Sequence, residues 1–305
     1  MPAQIHTATT HGYVDFEGAH TWYRIEGAHW NSPRGKAPLV VVHGGPGSTH
    51  DYLAPLGDLA RSQRAVIFYD QLGCGRSTHL PERPPSFWTL DLFVAELANL
   101  IAKLRIGDRY HLLGHSWGGF LAQEHAFGEP TGMRSLLLSN TADSYRDLVA
   151  EERRLRSQLP AAVRRQLEKH ETAGTTDDPE YAAACMVFYV RHLCRVTPWP
   201  AQFARSFRES RENPSVFVAV NGPSEFYVTG TAADWAAGPR LASILTPTLV
   251  LSGRHDGASP YLAERLADAI PSASRHLFDA SSHSPFWEER ARYIDVLDAW
   301  LEQWD

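Results

Sequence analysis

The chain has 305 residues, a formal net charge of −6, 43% hydrophobic residues and 21% charged residues. This length is enough for one large domain, or for one domain that carries an inserted subdomain. The composition is that of an ordinary globular protein, and its acidic balance excludes a broad basic surface for nucleic acid or anionic lipid.

The chain begins with a predicted hairpin and continues with short buried strands. Residues 12–27 resemble two strands around a turn, which we expect at an antiparallel edge. Later runs are short, apolar on both faces and bounded by Gly, Asp, Ser or Asn, as is typical of buried parallel strands. These runs cover residues 37–45, 64–73, 110–116, 135–140, 247–256 and 275–282.

Segments with a helical period lie between these strands. Residues 90–106 place apolar side chains three and four residues apart, and residues 260–271 and 285–304 are further helix candidates. Alternation of strand and helix predicts an α/β fold with a mostly parallel central sheet flanked by helices.

The alternation stops between about residues 141 and 239. This stretch holds charged helical segments and many aromatic residues, and one predicted helix carries Met186, Val190 and Leu193 on a single face. We interpret it as a mainly helical cap, residues 141–239, inserted into a core domain made of residues 1–140 and 240–305. The cap would cover the carboxyl edge of the sheet, where open α/β sheets bind their ligands.

Residues 114–118 read Gly-His-Ser-Trp-Gly and follow a predicted strand. The pattern G-x-S-x-G between a strand and a helix predicts a nucleophile elbow, a sharp turn that exposes the hydroxyl of Ser116. A serine hydroxyl is a poor nucleophile near pH 7, so it needs a base within hydrogen-bond reach and a third group to orient that base.

The chain order of this fold places the acid and the base after the serine. Asp256 follows a late strand and is the predicted acid, and His283 follows the last strand and is the predicted base. His276 and Asp279 belong to that last strand or its end, and we interpret them as structural.

Residues 43–47 read His-Gly-Gly-Pro-Gly after an earlier strand. Acyl transfer builds an oxyanion that needs waiting backbone donors, and we assign these to the N–H groups of Gly45 and Trp117. A phosphate-binding loop is excluded because no Lys-Ser or Lys-Thr pair follows these glycines.

The sequence predicts no metal, no cofactor and no membrane segment. Cys74, Cys185 and Cys194 are odd in number and form no C-x-x-C pair, so we expect buried reduced thiols rather than disulfides or a zinc site. No apolar run approaches roughly 20 residues, and the N-terminus lacks the features of a signal peptide. These features predict a cytoplasmic protein.

Six motifs in this order resemble the proline iminopeptidase family of serine aminopeptidases, particularly its tricorn-associated type. They read VHGGPGSTHDYL, FYDQLGCGRS, GHSWGG, NGPSEFYVTG, SGRHDGASP and SSHSPFWEE. The resemblance implies the α/β-hydrolase fold and the removal of an N-terminal residue, often proline, from short peptides or amides. It also implies the triad Ser116, Asp256 and His283, and the oxyanion hole of Gly45 and Trp117.

The resemblance further implies that Glu225, in the predicted cap, binds the α-ammonium group of the substrate. Similar enzymes have a second glutamate directly after the triad aspartate, where this chain has Gly257. The substrate is therefore expected to be a small peptide, an amino-acid amide or an aminoacyl group on a non-peptide amine. Another ester or amide hydrolase of the same fold, and a non-catalytic binder, remain open as alternatives, and so does the oligomeric state.

Overall fold

A computed structural model describes residues 8–27, 35–224 and 227–305. Within these residues, eight strands form one sheet in the order β1-β2-β4-β3-β5-β6-β7-β8. The strands are β1 (Thr9–Phe16), β2 (Ala19–Glu26), β3 (Leu39–Val42), β4 (Val66–Tyr69), β5 (Tyr110–His115), β6 (Met133–Ser139), β7 (Thr248–Gly253) and β8 (Ala273–Phe278).

The sheet is parallel from β3 to β8, and only the N-terminal hairpin departs from this direction. Strand β2 pairs antiparallel with both β1 and β4, so the hairpin forms one edge of the sheet, as the sequence predicts. Every residue of β3, β4 and β5 is buried, which explains their continuous apolar runs. Strand β8 lies at the opposite edge and is mostly not buried, so burial on both faces is a wrong prediction for this strand.

Ten α-helices accompany the sheet in the described residues. They are α1 (Leu90–Lys103), α2 (Trp117–Phe127), α3 (Tyr145–Arg156), α4 (Ala161–Ala173), α5 (Pro179–His192), α6 (Ala201–Glu212), α7 (Ser215–Val220), α8 (Pro260–Ala269), α9 (Pro285–Glu288) and α10 (Arg290–Gln303).

The helices that cover the sheet follow the predicted periodicity, with one break. Helix α1 starts at Thr89, whose hydroxyl accepts a hydrogen bond from the Leu92 N–H at 3.3 Å, and it buries Phe93 and Leu97 against the sheet. The segment 285–304, predicted as one helix, is two. It breaks at Glu289, whose backbone is not helical and whose carboxylate accepts hydrogen bonds from the loop after β8.

Helices α3 to α7 all fall in the segment predicted as the cap, and no strand occurs in its described part. This segment has a hydrophobic cluster of its own, and α5 contributes Tyr181, Cys185 and Phe188 to it. The predicted apolar face of α5 is wrong in one respect, because Val190 is 41% exposed. The division of the chain into a core domain and a cap, with the stated boundaries, stays a prediction.

Two further sequence predictions concern cysteines and membranes. All three cysteines are free and buried, as expected. No helix in the described ranges combines the length and the apolar character that a membrane crossing requires.

Candidate active site

Ser116 lies at the turn between β5 and α2, in a backbone conformation that serine rarely adopts. Its φ is 56° and its ψ is −124°. The turn is tight because the elbow packs against β3: a Cβ atom at Gly118 would come within 2.2 Å of the Val42 carbonyl oxygen. The sequence therefore needs glycine at position 118, and the fold holds Ser116 at the carboxyl edge of the sheet.

Asp256 and His283 come together although they lie 27 positions apart in the chain. The His283 Nδ1 atom lies 2.6 Å from Asp256 Oδ1. Asp256 Oδ1 also accepts a hydrogen bond from the Ala258 N–H at 2.8 Å, and Oδ2 accepts one from Asn140 Nδ2 at 2.7 Å. Because the carboxylate accepts from all these donors, Nδ1 of His283 carries its proton and Nε2 is left as the basic atom.

Ser116 and His283 both line one cavity of about 480 Å³. The ring of His115, next to the serine, lies 4.7 Å from the His283 ring, between ring centres. Among the described residues, no hydrogen bond joins the Ser116 hydroxyl to the His283 ring. Such bonds are often long in ligand-free enzymes and shorten when substrate binds.

The two residues predicted to supply the oxyanion donors lie beside Ser116 at a small cavity. The N–H groups of Gly45 and Trp117 have no acceptor within the described parts of the chain. Both residues border a small cavity of about 30 Å³ together with Ser116. Trp117 is the first residue of α2, where N–H groups lack intrahelical partners and the helix dipole favours negative charge. Gly45 has a φ of 120°, which favours glycine.

A chain of three hydrogen bonds connects the oxyanion loop, the elbow and the loop of His283. The Gly44 N–H donates to Tyr52 Oη at 2.6 Å, Tyr52 Oη lies 2.7 Å from His115 Nδ1, and His115 Nε2 lies 2.9 Å from the His283 carbonyl oxygen. A carbonyl only accepts, so Nε2 of His115 donates and the Tyr52 hydroxyl donates to Nδ1. Burial lowers the pKa of His115 well below its usual value, which keeps this neutral tautomer.

A second set of hydrogen bonds fixes the strand end before Gly45. Gln71 Nε2 donates to the His43 carbonyl at 2.8 Å, and Gln71 Oε1 accepts from the Trp117 indole at 3.0 Å. Gln71 therefore joins the two segments that carry the predicted oxyanion donors. Burial lowers the pKa of His43 to about 4, so its ring is neutral and accepts from the Gln71 N–H at 3.0 Å.

The end of helix α5 holds the loops that carry the predicted acid and the predicted base. The His192 carbonyl accepts hydrogen bonds from the Gly257 N–H at 3.2 Å and from the His283 N–H at 3.3 Å. Carbonyl groups in the last turn of a helix have no intrahelical partner, so this contact satisfies one of them. The cap thus contributes directly to the position of His283.

The structure brings together the predicted Ser116, His283 and Asp256, and it places Gly45 and Trp117 beside the serine. Glu225 lies outside the described residues. The exposed ion pair of Asp279 with Arg254, at the ends of β8 and β7, agrees with a structural role for Asp279.

Sequence reasoning missed several residues that position the site. Asn140 is the last residue of the run Ser-Leu-Leu-Leu-Ser-Asn, so its place at a strand end was the available signal. Tyr52 and Gln71 lie in motifs that carry the family resemblance, but no local pattern gives their partners. His115 is the variable residue of the elbow motif, and its contacts depend on segments far away in sequence.

Another group of polar side chains lies in the cap, away from the serine. His170, Asp178 and Glu180 place ligand atoms within 4.8 Å of one another. The Lys169 ammonium group pairs with Glu180 at 3.1 Å and already supplies positive charge there. The arrangement is therefore that of a surface ion pair beside a helix start, and we assign no metal to it.

Replacing Asn140 with alanine is expected to lower kcat/KM about 10- to 100-fold, because Asp256 loses a charged hydrogen bond. Asn140 has a φ of 53°, so alanine also introduces backbone strain. Asn140→Gly removes the same hydrogen bond without that strain and serves as the matched variant. Full activity in both variants, measured by initial rates on an aminoacyl arylamide, would show that this contact does not position Asp256.

Comparison with known proteins agrees with the geometry. Residues 37–290 match the family model described as the alpha/beta hydrolase fold. The chain is 38% identical over 298 residues to the proline iminopeptidase of Clostridium botulinum, which covers 97% of this chain and 99% of that protein. It is 35% identical over 292 residues to the proline iminopeptidase of Thermoplasma volcanium, with 96% of each chain covered.

Two solved structures are similar over nearly the whole chain. The structure of VinJ has 44% sequence identity and a TM-score of 0.94, and the match covers 97% of this chain and 99% of that one. The proline iminopeptidase of Mycobacterium smegmatis has 41% identity and a TM-score of 0.88, with 96% and 98% covered.

Proposed function

The chain belongs to the proline iminopeptidase family of α/β-hydrolase fold enzymes, and from that membership we propose that it removes an N-terminal proline, or a small apolar residue, from short peptides or amino-acid amides. The hydrogen bond of 2.6 Å between His283 and Asp256, at a cavity that also contains Ser116, is the observation that supports this proposal most strongly. It supplies an oriented base at the cavity that the half-buried Ser116 also lines.

The proposed reaction proceeds through an acyl-enzyme. His283 Nε2 takes the proton of Ser116 while Oγ attacks the carbonyl carbon of the substrate. The N–H groups of Gly45 and Trp117 stabilise the oxyanion. The intermediate then collapses, the bond to the leaving amine breaks, and His283 gives the amine its proton. Water repeats these steps on the acyl-enzyme and releases the free amino acid.

Asp256 keeps the imidazole in the required tautomer and stabilises the imidazolium ion that forms twice in each cycle. Glu225 is proposed to bind the α-ammonium group of the substrate, as the resemblance implies. The three buried free cysteines fit a reducing compartment, and we propose the cytoplasm.

A second candidate function is hydrolysis of an aminoacyl group on a non-peptide amine, with a weaker demand for a free α-amine. Two observations favour it. Position 257 is glycine, where the family resemblance implies a second carboxylate. The cavity volume of about 480 Å³ falls in the range of pockets that hold drug-sized ligands. Such a cavity has room for a leaving group larger than one amino acid.

A panel of arylamides tests the proposal. We expect prolyl p-nitroanilide to be hydrolysed with a kcat/KM at least about tenfold above that of N-acetylprolyl p-nitroanilide, because acetylation removes a charged hydrogen-bond donor. Equal rates on both would contradict the aminopeptidase and favour the second candidate. The same panel extended to prolyl amides of longer aliphatic amines measures the tolerance for the leaving group.

A further inference from the structure

A buried carboxylate lies beside the residue that follows the catalytic acid. An added Cβ atom at Gly257 would lie 3.6 Å from Glu152 Oε1 and 3.9 Å from Glu152 Cγ, which is ordinary van der Waals contact. Glu152 belongs to helix α3, on a different element from Gly257 and far from it in sequence. Its side chain therefore occupies the space that a side chain at position 257 would enter.

Glu152 borders both cavities of the site. It lines the large cavity together with Ser116, His283 and Gly257. It also lines the small cavity of about 30 Å³ that Gly45, Ser116 and Trp117 surround. A volume of this size holds one small polar group, so Glu152 borders the immediate surroundings of the serine.

Glu152 differs from the other charged residues that line the large cavity, because it is buried. Of the described residues that line it, the carboxylates are Glu152, which is 8% exposed, and Asp177, which is exposed. The positive side chain Arg211 lines the cavity and is also exposed. Burial lowers the pKa of His192, so this neighbouring ring is neutral at pH 7. A cation that enters the space near Ser116 meets Glu152 in a setting with little water to screen the attraction.

The substrate of an aminopeptidase brings such a cation to a fixed place. Its ammonium nitrogen lies about 2.5 Å from the carbonyl carbon, since only the Cα atom separates them. The carbonyl carbon must approach Ser116 Oγ, and its oxygen must point to Gly45 and Trp117. The partner of the ammonium group therefore has to border the same small space, as Glu152 does.

We propose that Glu152 binds the α-ammonium group of the substrate and supplies, from helix α3, the carboxylate that position 257 lacks. This inference rests on the proposed aminopeptidase function and assigns a specificity-determining residue to it. The proposal predicts that Glu152 discriminates between acyl groups with and without an α-amine.

The test compares two substrates of the same shape. Prolyl p-nitroanilide carries the ring nitrogen, and cyclopentanecarbonyl p-nitroanilide has the same five-membered ring without it. Glu152→Gln is expected to lower kcat/KM for the prolyl substrate about 10- to 100-fold, the effect of losing a charged hydrogen bond. For the cyclopentane substrate kcat/KM is expected to change less than about twofold, which a merely structural role would not produce.

Two further variants complete the design. Glu151→Gln is the matched control, because the neighbouring Glu151 pairs with Arg154 on the exposed side of α3. It should leave both substrates unaffected. The double variant Glu152→Ala with Gly257→Glu removes the side chain that fills this space and returns a carboxylate to it from position 257, where the added Cβ fits without a clash. It is expected to recover at least about tenfold of the lost activity on the prolyl substrate.

The outcomes separate this proposal from the proposed function. If Glu152→Gln keeps the wild-type preference for the prolyl substrate, Glu152 does not bind the ammonium group, and the proposed aminopeptidase function stands. Equal loss on both substrates also overturns the role of Glu152. A wild-type enzyme with no preference overturns both. Should Glu152→Gln fail to fold, Glu152→Asp replaces it as the test. The shorter side chain moves the carboxylate away from the ammonium group, so the preference for the prolyl substrate is expected to fall. An unchanged preference in Glu152→Asp counts against the proposal.

Discussion

Replacing Ser116 with alanine is expected to lower kcat/KM for aminoacyl arylamides by at least about 10⁴-fold, equivalent to about 5.5 kcal/mol of transition-state stabilisation. The variant keeps the backbone donors at Gly45 and Trp117, so a small residual rate remains. The loss should fall on kcat, since the hydroxyl acts in the chemical step and adds little to substrate binding. Single-turnover kinetics on prolyl p-nitroanilide measures this directly.

The fold is expected to survive this change. Within the described residues the Ser116 hydroxyl takes part in no hydrogen bond, and alanine tolerates its backbone conformation about as poorly as serine does. Ser243→Ala is the matched control, because its hydroxyl bonds the carbonyl of Arg240 on an exposed surface. A fluorophosphonate probe should label the wild type and Ser243→Ala but not Ser116→Ala. Labelling of Ser116→Ala, or activity within tenfold of wild type, would place the nucleophile elsewhere.

Local patterns predicted the strands and the elbow because each depends on residues close together in sequence. The buried strands are apolar on both faces, and the elbow needs Ser116 next to glycines that allow close packing against β3. The chain order of the fold then placed Asp256 and His283, since each follows a recognisable strand. Their contact at 2.6 Å is the consequence of that order.

The remaining parts of the site depend on contacts between distant segments, which no local pattern records. Asn140 bonds Asp256 across 116 residues, and Tyr52 reaches His115 across 63. Glu152 reads as one charge in an acidic and basic helix, and only its burial beside Gly257 distinguishes it. The exposure of β8 depends on its position at the sheet edge, which its own residues do not reveal.

Some of these distant contacts join the segment predicted as the cap to the loops of the proposed triad. The His192 carbonyl at the end of α5 bonds both the Gly257 and the His283 N–H groups, and Ser284 Oγ donates to the Leu193 carbonyl at 2.8 Å. A displacement of α5 would therefore move the base relative to Asp256. The segment predicted as the cap thus holds the loop of His283 in place, and in the proposed mechanism it also sets the geometry of proton transfer.

Asp256→Asn is expected to lower kcat about 10³- to 10⁴-fold with little change in the free energy of unfolding. In one orientation the oxygen of the new amide faces His283, and the NH₂ group of the new amide then points at the NH₂ group of Asn140. In the wild type this Asn140 group donates to Asp256 at 2.7 Å, so the variant replaces a hydrogen bond by two opposed donors. In the other orientation the NH₂ group faces His283 Nδ1, which must then be unprotonated. Nε2 would carry the proton and could not accept one from Ser116.

A compensating change at position 140 tests that reasoning. In Asp256→Asn with Asn140→Asp, the amide introduced at position 256 donates to the carboxylate introduced at position 140. The oxygen of that amide then accepts from His283 Nδ1, which restores the active tautomer without the adjacent charge. This double variant is expected to recover about 10- to 100-fold of the lost kcat.

Asp279→Asn, which removes only the exposed partner of Arg254, is the matched control and should retain kcat within about twofold. If Asp256→Asn keeps more than about a tenth of wild-type kcat, or if Asp279→Asn loses as much as it does, then Asp256 is not the residue that orients His283, and the acid of the triad lies elsewhere.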